Sequence, residues 1–283
     1  MQPDILISFR HCPHSAQPRY VKHEDVERVA LQVRRQLGHG DDDLVVDVER
    51  LAQVSAARVN GITYALEWCF NAHVRDDVGD PAFGVCEFDS ALPDLAQIHI
   101  NNELIGQREA VLRSTCLHEF GHGIFDAPAW VWAHQRQSAS LFELPDTDCA
   151  SRVCRTITTN ESHLTSTPPA TSPEYFRELR ANEFMGSVCA PRALLGPQFR
   201  RRCEGVGLDH RDIKPNAPEP LLTGSAKPAT ALAEPVIDLN YHGTTERLEA
   251  AIRQLALDFR LTPRFIKVRL KRYGFIRQEV MLA

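Results

Sequence analysis

The sequence predicts an α+β fold with a small antiparallel or mixed sheet, a long helix after it, and a helical extension at the C-terminus. Helical periodicity recurs on both sides of a strand-rich region at 61–102, where β-forming runs alternate with breakers. Proline recurs from residue 207 to residue 235. The expected organisation is a main domain at 1–206 with an insertion at about 127–173, a Pro-rich linker or loop at 207–235, and a helical region at 236–283.

The first predicted element is an amphipathic helix in KHEDVERVALQVRRQLGHG. Acidic residues stand at its start and Gly38 stands at its end, as is typical of helix termini. Its apolar stripe consists of Val26, Val29, Ala30, Val33 and Leu37. A short second helix is expected next, with Asp47 as its N-cap.

Three β-forming runs follow, GITYALEWCFN, AFGVCEFD and LAQIHINN, and predict three antiparallel strands. The segment QREAVLRSTCLHEFGHGIF then resumes a helical period. Residues 145–173 are polar and rich in breakers, which predicts a mobile loop or insertion.

Further helices are predicted towards the C-terminus. Ser172 and Pro173 open the next one, and Pro191 should end or bend it. The last part of the chain predicts two helices, the second of which opens at Thr262 and Pro263.

The segment HEFGH on the predicted central helix indicates a metal site. His118 and His122 stand four residues apart, so a helix directs both imidazoles to one point. Glu119 follows the first histidine, where its carboxylate can act as the general base of a zinc peptidase. The alternative is that the two histidines only bond neighbouring groups while Gly121 serves close helix packing.

A catalytic zinc requires a third protein ligand. In ELRANEF, Glu178 precedes Asn182 by four residues, so both lie on one face of a helix. Glu178 is the expected ligand, and Asn182 is expected to orient a ligand histidine from behind. Glu174 and Glu183 are competing candidates, and Glu178 could also be an ordinary surface glutamate.

Together, HEFGH and the later ELRANEF with its proline resemble the ImmA/IrrE family of metallopeptidases, whose usual pattern is HExGH followed by ExxANxFAxxLLMP. The matching residues of the second motif are Glu178, Ala181, Asn182, Phe184 and Pro191. The departures are Met185, Val188, Cys189 and Ala190, which are apolar or small substitutions. The stretch between the motifs is longer than is usual in the family.

The resemblance implies a zincin-like metallopeptidase domain that binds one Zn²⁺ through His118, His122 and Glu178. It also implies a zinc-dependent endopeptidase whose substrate is a helix-turn-helix repressor in a stress-response or mobile-element circuit. Two histidines and a glutamate can also accept Mn²⁺ or Fe²⁺. An extended substrate is expected to pair with an exposed edge of the strand that carries Ile98, His99 and Ile100.

Composition limits the other function classes. The net charge is -5, which argues against attraction of the whole chain to nucleic acid. The chain lacks a long apolar run and a signal-like start, so we expect a cytoplasmic protein without membrane contact. Its eight cysteines are expected to be reduced thiols.

Several alternatives stay open at this point. The C-terminal helices have helix-turn-helix spacing and a basic set that could contact DNA: Arg264, Lys267, Arg269, Lys271, Arg272 and Arg277. The chain could accordingly be a DNA-binding or regulatory protein with a non-catalytic metal site. A second metal site could form from Cys149, Cys154, His163 and His134. The candidates for stabilising an oxyanion are Tyr175, His163 and Tyr241.

Overall fold

A computed structural model describes residues 2, 4–19, 21–76, 79–137, 152–156, 172–208, 211–213, 234–238 and 244–277. The chain divides into two compact units, Met1–Pro191 and Arg192–Ala283. None of the described helices combines the length and the apolar character that a membrane crossing requires.

The first unit combines one mixed sheet with helices, in agreement with the predicted α+β class. Its strands are β1 (Ile5–Ile7), β2 (Ala56–Val59), β3 (Ile62–Phe70), β4 (Ala82–Phe88), β5 (Leu95–Ile100) and β6 (Arg152–Thr156). Its helices are α1 (His23–Gln36), α2 (Val48–Ala52), α3 (Asn102–Ile105), α4 (Glu109–Phe125), α5 (Ala127–Gln137) and α6 (Pro173–Cys189).

The six strands are arranged in the order β1-β2-β3-β5-β4-β6. The three predicted strands exist, but they are not all antiparallel. The chain passes from β3 to β4 and returns with β5 between them, so β5 is antiparallel to β4 and parallel to β3. Strands β1, β2 and β6 were not predicted, because they are three to five residues long and too short for a clear alternation.

Strand β5 lies in the interior of the sheet, so the prediction that it offers an exposed edge to a substrate is wrong. Both edges of β5 are hydrogen-bonded, so it offers no free backbone to a peptide. Ile98 and Ile100 are completely buried, and His99 lies 3.3 Å from Glu87 of the neighbouring strand. These three residues of β5 therefore hold the sheet together and do not form a peptide-binding edge.

The predicted helix boundaries are confirmed by their caps. The Asp47 carboxylate accepts hydrogen bonds from the Glu49 and Arg50 amides at the start of α2. The Ser172 hydroxyl accepts from the Tyr175 amide at the start of α6, which ends two residues before Pro191. The five apolar residues of the α1 stripe are all buried.

Helix α1 is fixed to the edge strand β1 through a side-chain amide. The Leu6 amide donates to Gln36 Oε1 at 2.6 Å, and Gln36 Nε2 donates to the Leu6 carbonyl at 2.9 Å. A glutamine thus replaces a missing strand partner on β1, which blocks pairing with another chain at this point.

Helices α4 and α6 approach each other at Gly121. An ideal Cβ atom at Gly121 would lie 3.2 Å from the Ala181 Cα atom and 3.1 Å from Phe184 Cδ1. Glycine is required here because a larger residue would meet the backbone of α6. The Tyr64 hydroxyl donates to the Gly123 carbonyl at 2.6 Å, which satisfies a free acceptor near the end of α4 and ties it to β3.

The second unit begins at Arg192, whereas the sequence placed the division after residue 206. Its first helix, α7 (Arg192–Gly205), packs on α8 (Thr244–Phe259), and Arg202 forms an ion pair with Asp258 across them. The other elements are β7 (Arg211–Ile213), β8 (Glu234–Asp238), α9 (Pro263–Arg272) and β9 (Ile276–Arg277). The expected linker therefore contains β7 and the start of β8, which pair with each other.

We expect Gly121→Ala to destabilise the first unit because the added methyl group collides with α6. The matched control is Gly123→Ala on the same helix, where an ideal Cβ meets only side-chain atoms, Leu66 Cδ2 at 3.4 Å and Ile98 Cδ1 at 3.9 Å. Both substitutions gain the same helix propensity, so their difference isolates the collision. Gly121→Ala should be less stable than Gly123→Ala by about 1–3 kcal/mol.

The measurement is urea denaturation of the metal-free protein, followed by tryptophan fluorescence. All the tryptophans lie in the first unit: Trp68, Trp130 and Trp132. Equal midpoints for the two variants would contradict the close approach of α4 and α6.

Candidate metal centre

The two histidines of HEFGH come together with the expected glutamate. His118 and His122 lie one turn apart on α4 and are at most 1% exposed, while Glu178 reaches them from α6. Their Nε2 atoms are 3.2 Å apart. Glu178 Oε2 lies 3.3 Å from His118 Nε2, and Glu178 Oε1 lies 3.3 Å from His122 Nε2. Among the residues that the structure describes, this is the one cluster with metal-ligand geometry.

These distances are of the size that a metal site requires. Zinc binds histidine nitrogen and carboxylate oxygen at about 2.0–2.2 Å, and two ligands of a tetrahedron are then roughly 3.3–3.5 Å apart. The two histidine nitrogens are 3.2 Å apart, and each lies 3.3 Å from a different oxygen of the Glu178 carboxylate. One possible ligand atom from each of the three residues lies within 4.8 Å of the others. The donor set is also one that zinc uses in catalytic sites, where three protein ligands leave a fourth position open.

A second carboxylate orients His122 from behind. His122 Nδ1 lies 2.8 Å from Asp126 Oδ2, and Arg180 Nη2 donates to Asp126 Oδ1 at 2.9 Å. A proton on Nδ1 that is donated to Asp126 leaves the lone pair of Nε2 directed at the cluster. Arg180 lies two residues after Glu178 on α6, so one ion pair connects both helices that supply ligands.

The charged groups of the cluster shift one another's pKa values. Burial by itself would lower the pKa of His122, but Asp126 and Glu178 outweigh it and raise this pKa to about 10. Burial would raise the pKa of Glu178, but His118 and His122 hold it well below its usual range. Asp126 behaves in the same way, because its burial is outweighed by His122 and Arg180, which lower its pKa. In the metal-free chain His122 is therefore protonated, and a metal ion must displace that proton.

Glu119 follows His118 on α4, and its side chain lies against the sheet. It is completely buried, and an ideal Cβ atom at Gly84 of β4 would lie 2.9 Å from its Cγ and 3.0 Å from its Oε1. The same Cβ would lie 2.8 Å from Thr115 Cγ2. Glycine at position 84 therefore makes room for the side chain of Glu119 between α4 and β4.

The other candidates for the third ligand have different partners. Glu174 is exposed and pairs with Arg177, while Glu183 contacts His23 and accepts a hydrogen bond from Ser187. Asn182 is buried one turn after Glu178, and its orienting role stays a prediction.

Much of the proposed second metal site lies outside the described residues, as do His163 and Tyr241. His134 is described, and its Nδ1 contacts the Trp130 carbonyl at 2.9 Å. Tyr175 lies one turn before Glu178 on α6 and stays a candidate for oxyanion stabilisation.

The basic residues of the C-terminal helices do not all face solvent. Arg269 is buried against Tyr273, with its guanidinium 4.4 Å from the ring centroid. Lys267 is half-buried and forms an ion pair with Glu249 of α8. The exposed members of the set are Arg264, Lys271, Arg272 and Arg277. DNA binding by these helices stays a prediction.

Three further residues shape the site and were not among the predicted site residues. Asp126 stands four residues after His122, and this spacing on a continuing helix was the available signal. Arg180 and Gly84 gave no such signal, because the positions they contact are distant in sequence.

Comparisons with protein-family models, with curated proteins and with solved structures find no match to this chain. The residues of the site and their geometry therefore carry the functional argument.

We expect about one zinc ion per chain after purification with zinc, and little in His122→Ala or Glu178→Ala. Each substitution removes one of three ligands, and the remaining two cannot hold the ion against dialysis. The measurement is elemental analysis of dialysed protein, with Glu174→Ala as a control that removes a glutamate of the same helix outside the cluster. Full zinc content in Glu178→Ala would show that another residue is the third ligand.

Asp126→Asn should weaken zinc binding by about 10–100-fold, the usual effect of losing the partner of a ligand histidine. The variant keeps the shape of the side chain but removes the charge that Arg180 and His122 contact. The measurement is the zinc Kd from competition with a chromophoric chelator. Asp258→Asn is the matched control, since it also removes a carboxylate from an arginine pair, but in the second unit. Equal losses in both variants would rule out a specific role for Asp126.

Proposed function

We propose that the protein is a zinc-dependent endopeptidase. The observation that carries this proposal is the joint placement of three metal-ligand side chains and a buried glutamate. His118, His122 and Glu178 bring one possible ligand atom each within 4.8 Å of the others, and Glu119 is adjacent to the first of them on α4. A zincin-like active site requires this combination, and the resemblance to the ImmA/IrrE pattern supports the same function.

In the proposed reaction, a zinc ion and the side chains of the protein have different roles. A zinc ion held by the three ligands would act as a Lewis acid that polarises the peptide carbonyl and acidifies the attacking water. Glu119 takes a proton from that water and later returns it to the leaving amine. Its burial keeps competing solvent away from the carboxylate. Asp126 holds His122 in the tautomer that a metal ligand needs, so the cluster is oriented before substrate arrives.

The proposed substrate class is a helix-turn-helix transcriptional repressor in a stress-response or mobile-element circuit. Support for this class comes from the sequence resemblance alone. The geometry of the site adds one condition, because the carbonyl to be cleaved must come within hydrogen-bond range of the water that Glu119 deprotonates. An extended backbone meets this condition more readily than a helix, whose carbonyls are engaged in its own hydrogen bonds.

The alternative is a DNA-binding or regulatory protein with a non-catalytic metal site. The two proposals differ at Glu119, since a metal site that only supports the fold has no use for a general base next to its ligands. Salt-sensitive binding of duplex DNA by the whole chain, lost on substitution of Arg264 and Lys271, would favour the alternative.

Glu119→Gln should retain zinc and lose about 100–10,000-fold in the rate of peptide cleavage, because the amide cannot accept the proton. His118→Ala should lose both zinc and cleavage. The measurement compares new protein N-termini by mass spectrometry after a host-cell extract is incubated with the zinc-loaded proteins. Sites cut by the wild-type protein and by neither variant identify the substrates.

If the substrate is a helix-turn-helix repressor, the same measurement should give a more specific result. The new N-termini should fall in a DNA-binding protein, in a segment between its folded parts. Identical N-termini with wild type and Glu119→Gln would overturn the proposed mechanism.

A further inference from the structure

One strand of the sheet lies against the proposed general base. This strand is β4, which contacts Glu119 and Thr115 at Gly84. An extended peptide that adds to a sheet forms main-chain hydrogen bonds with an edge strand. A peptide that is to be cut next to Glu119 must therefore lie along β4 or very close to it.

Both edges of β4 are already occupied by the chain itself. The inner edge pairs with β5, and the outer edge pairs with β6 in an antiparallel register that sets Gly84 opposite Arg155 and Val85 opposite Cys154. The register shifts between Ala82 and Gly84, so the pairing is irregular where β4 contacts Glu119. Bulges of this kind are common beside active sites. Strand β6 also packs on α4, the helix that carries the two histidines.

The distance of a bound peptide from β4 limits where a substrate can be cleaved. Neighbouring strands are about 4.8 Å apart, so β6 lies one such spacing from β4. A peptide added outside β6 would lie roughly 9.6 Å from β4, while a general base must reach its proton within about 3 Å or through one water. The second position is thus twice as far from the strand that contacts Glu119, and productive binding favours the position that β6 holds.

We propose that the outer edge of β4 is the peptide-binding edge of the site, and that β6 occupies it as an internal competitor. An extended segment of the substrate then binds by replacing Arg152–Thr156 on β4. The chemistry of cleavage rests on the proposed peptidase function, but the pairing of a peptide with β4 does not. In a repressor of helical domains, the segment able to pair in this way is a linker between domains.

The test measures peptide binding in the full-length, zinc-loaded protein that carries Glu119→Gln, so that no bound peptide is cut. The probe is a fluorescein-labelled peptide of residues 150–158, which contains the β6 sequence, and the readout is fluorescence anisotropy. The combined variant Val153→Pro and Cys154→Pro removes the backbone N–H donors of two successive residues of β6. In an antiparallel pair every second residue donates to the neighbouring strand, so one of these two donors forms a hydrogen bond to β4. The control is Thr167→Pro, next to the natural Pro168 and Pro169.

The double proline variant should bind the peptide with a Kd at least tenfold lower than the parent protein, because the internal strand no longer competes. Thr167→Pro should bind like the parent. If tryptophan fluorescence shows that the prolines unfold the first unit, Val153→Gly with Cys154→Gly weakens the strand and keeps every backbone donor. Equal affinity for the peptide in the folded variant and in the parent would overturn the proposal.

A second pair of measurements separates this proposal from the peptidase function. The same double proline variant with Glu119 intact is incubated with the peptide, and cleavage is followed by mass spectrometry. Tighter binding supports the β4 edge whether or not this peptide is cut, because its sequence is that of β6, which holds the same position in the intact chain. The peptidase function fails separately if wild type and Glu119→Gln give identical new N-termini in the extract. Cleavage at equal rates with and without the prolines counts against the edge and supports the peptidase.

Discussion

The close contact between α4 and α6 is the constraint on which the rest of the site depends. The two helices meet at Gly121 and Ala181, where a single added carbon would reach the opposite backbone. This spacing brings Glu178 within 3.3 Å of both histidines. The packing of Gly121 against Ala181 sets the distance between α4 and α6 without a metal ion, so a metal ion is not the sole cause of this helix spacing. Helix packing and the geometry of the candidate metal cluster are thus two results of the same contact.

The site is held from two further directions. The Asp126 carboxylate contacts His122 of α4 and accepts a hydrogen bond from Arg180 of α6. The ion pair of Asp126 and Arg180 therefore reinforces the packing contact between the two helices. The sheet supports the opposite side, where the missing side chain of Gly84 leaves space for Glu119. The candidate ligands and the proposed general base are therefore fixed by different elements, as the proposed catalytic site would require.

Sheet order determines which backbone a substrate can use. Strand β5 has the most regular sequence of the region, but it is enclosed by β3 and β4. The strand next to Glu119 is β4, and its outer edge is covered by a segment that the sequence predicted to be a loop. Covering an edge prevents unwanted pairing between molecules. In this protein the covered edge belongs to the strand that contacts Glu119, the proposed general base.

The sequence by itself determined the local features: the helix with HEFGH, the caps at Asp47, Ser172 and Thr262, and the three ligand candidates. These features depend on spacing within one or two helical turns, which a sequence displays directly. It did not determine the parallel pairing of β3 and β5, the strand β6, or the roles of Asp126, Arg180 and Gly84. The tertiary structure decided these, because strand order and ion pairs between helices join residues that are far apart in the chain and follow no local period.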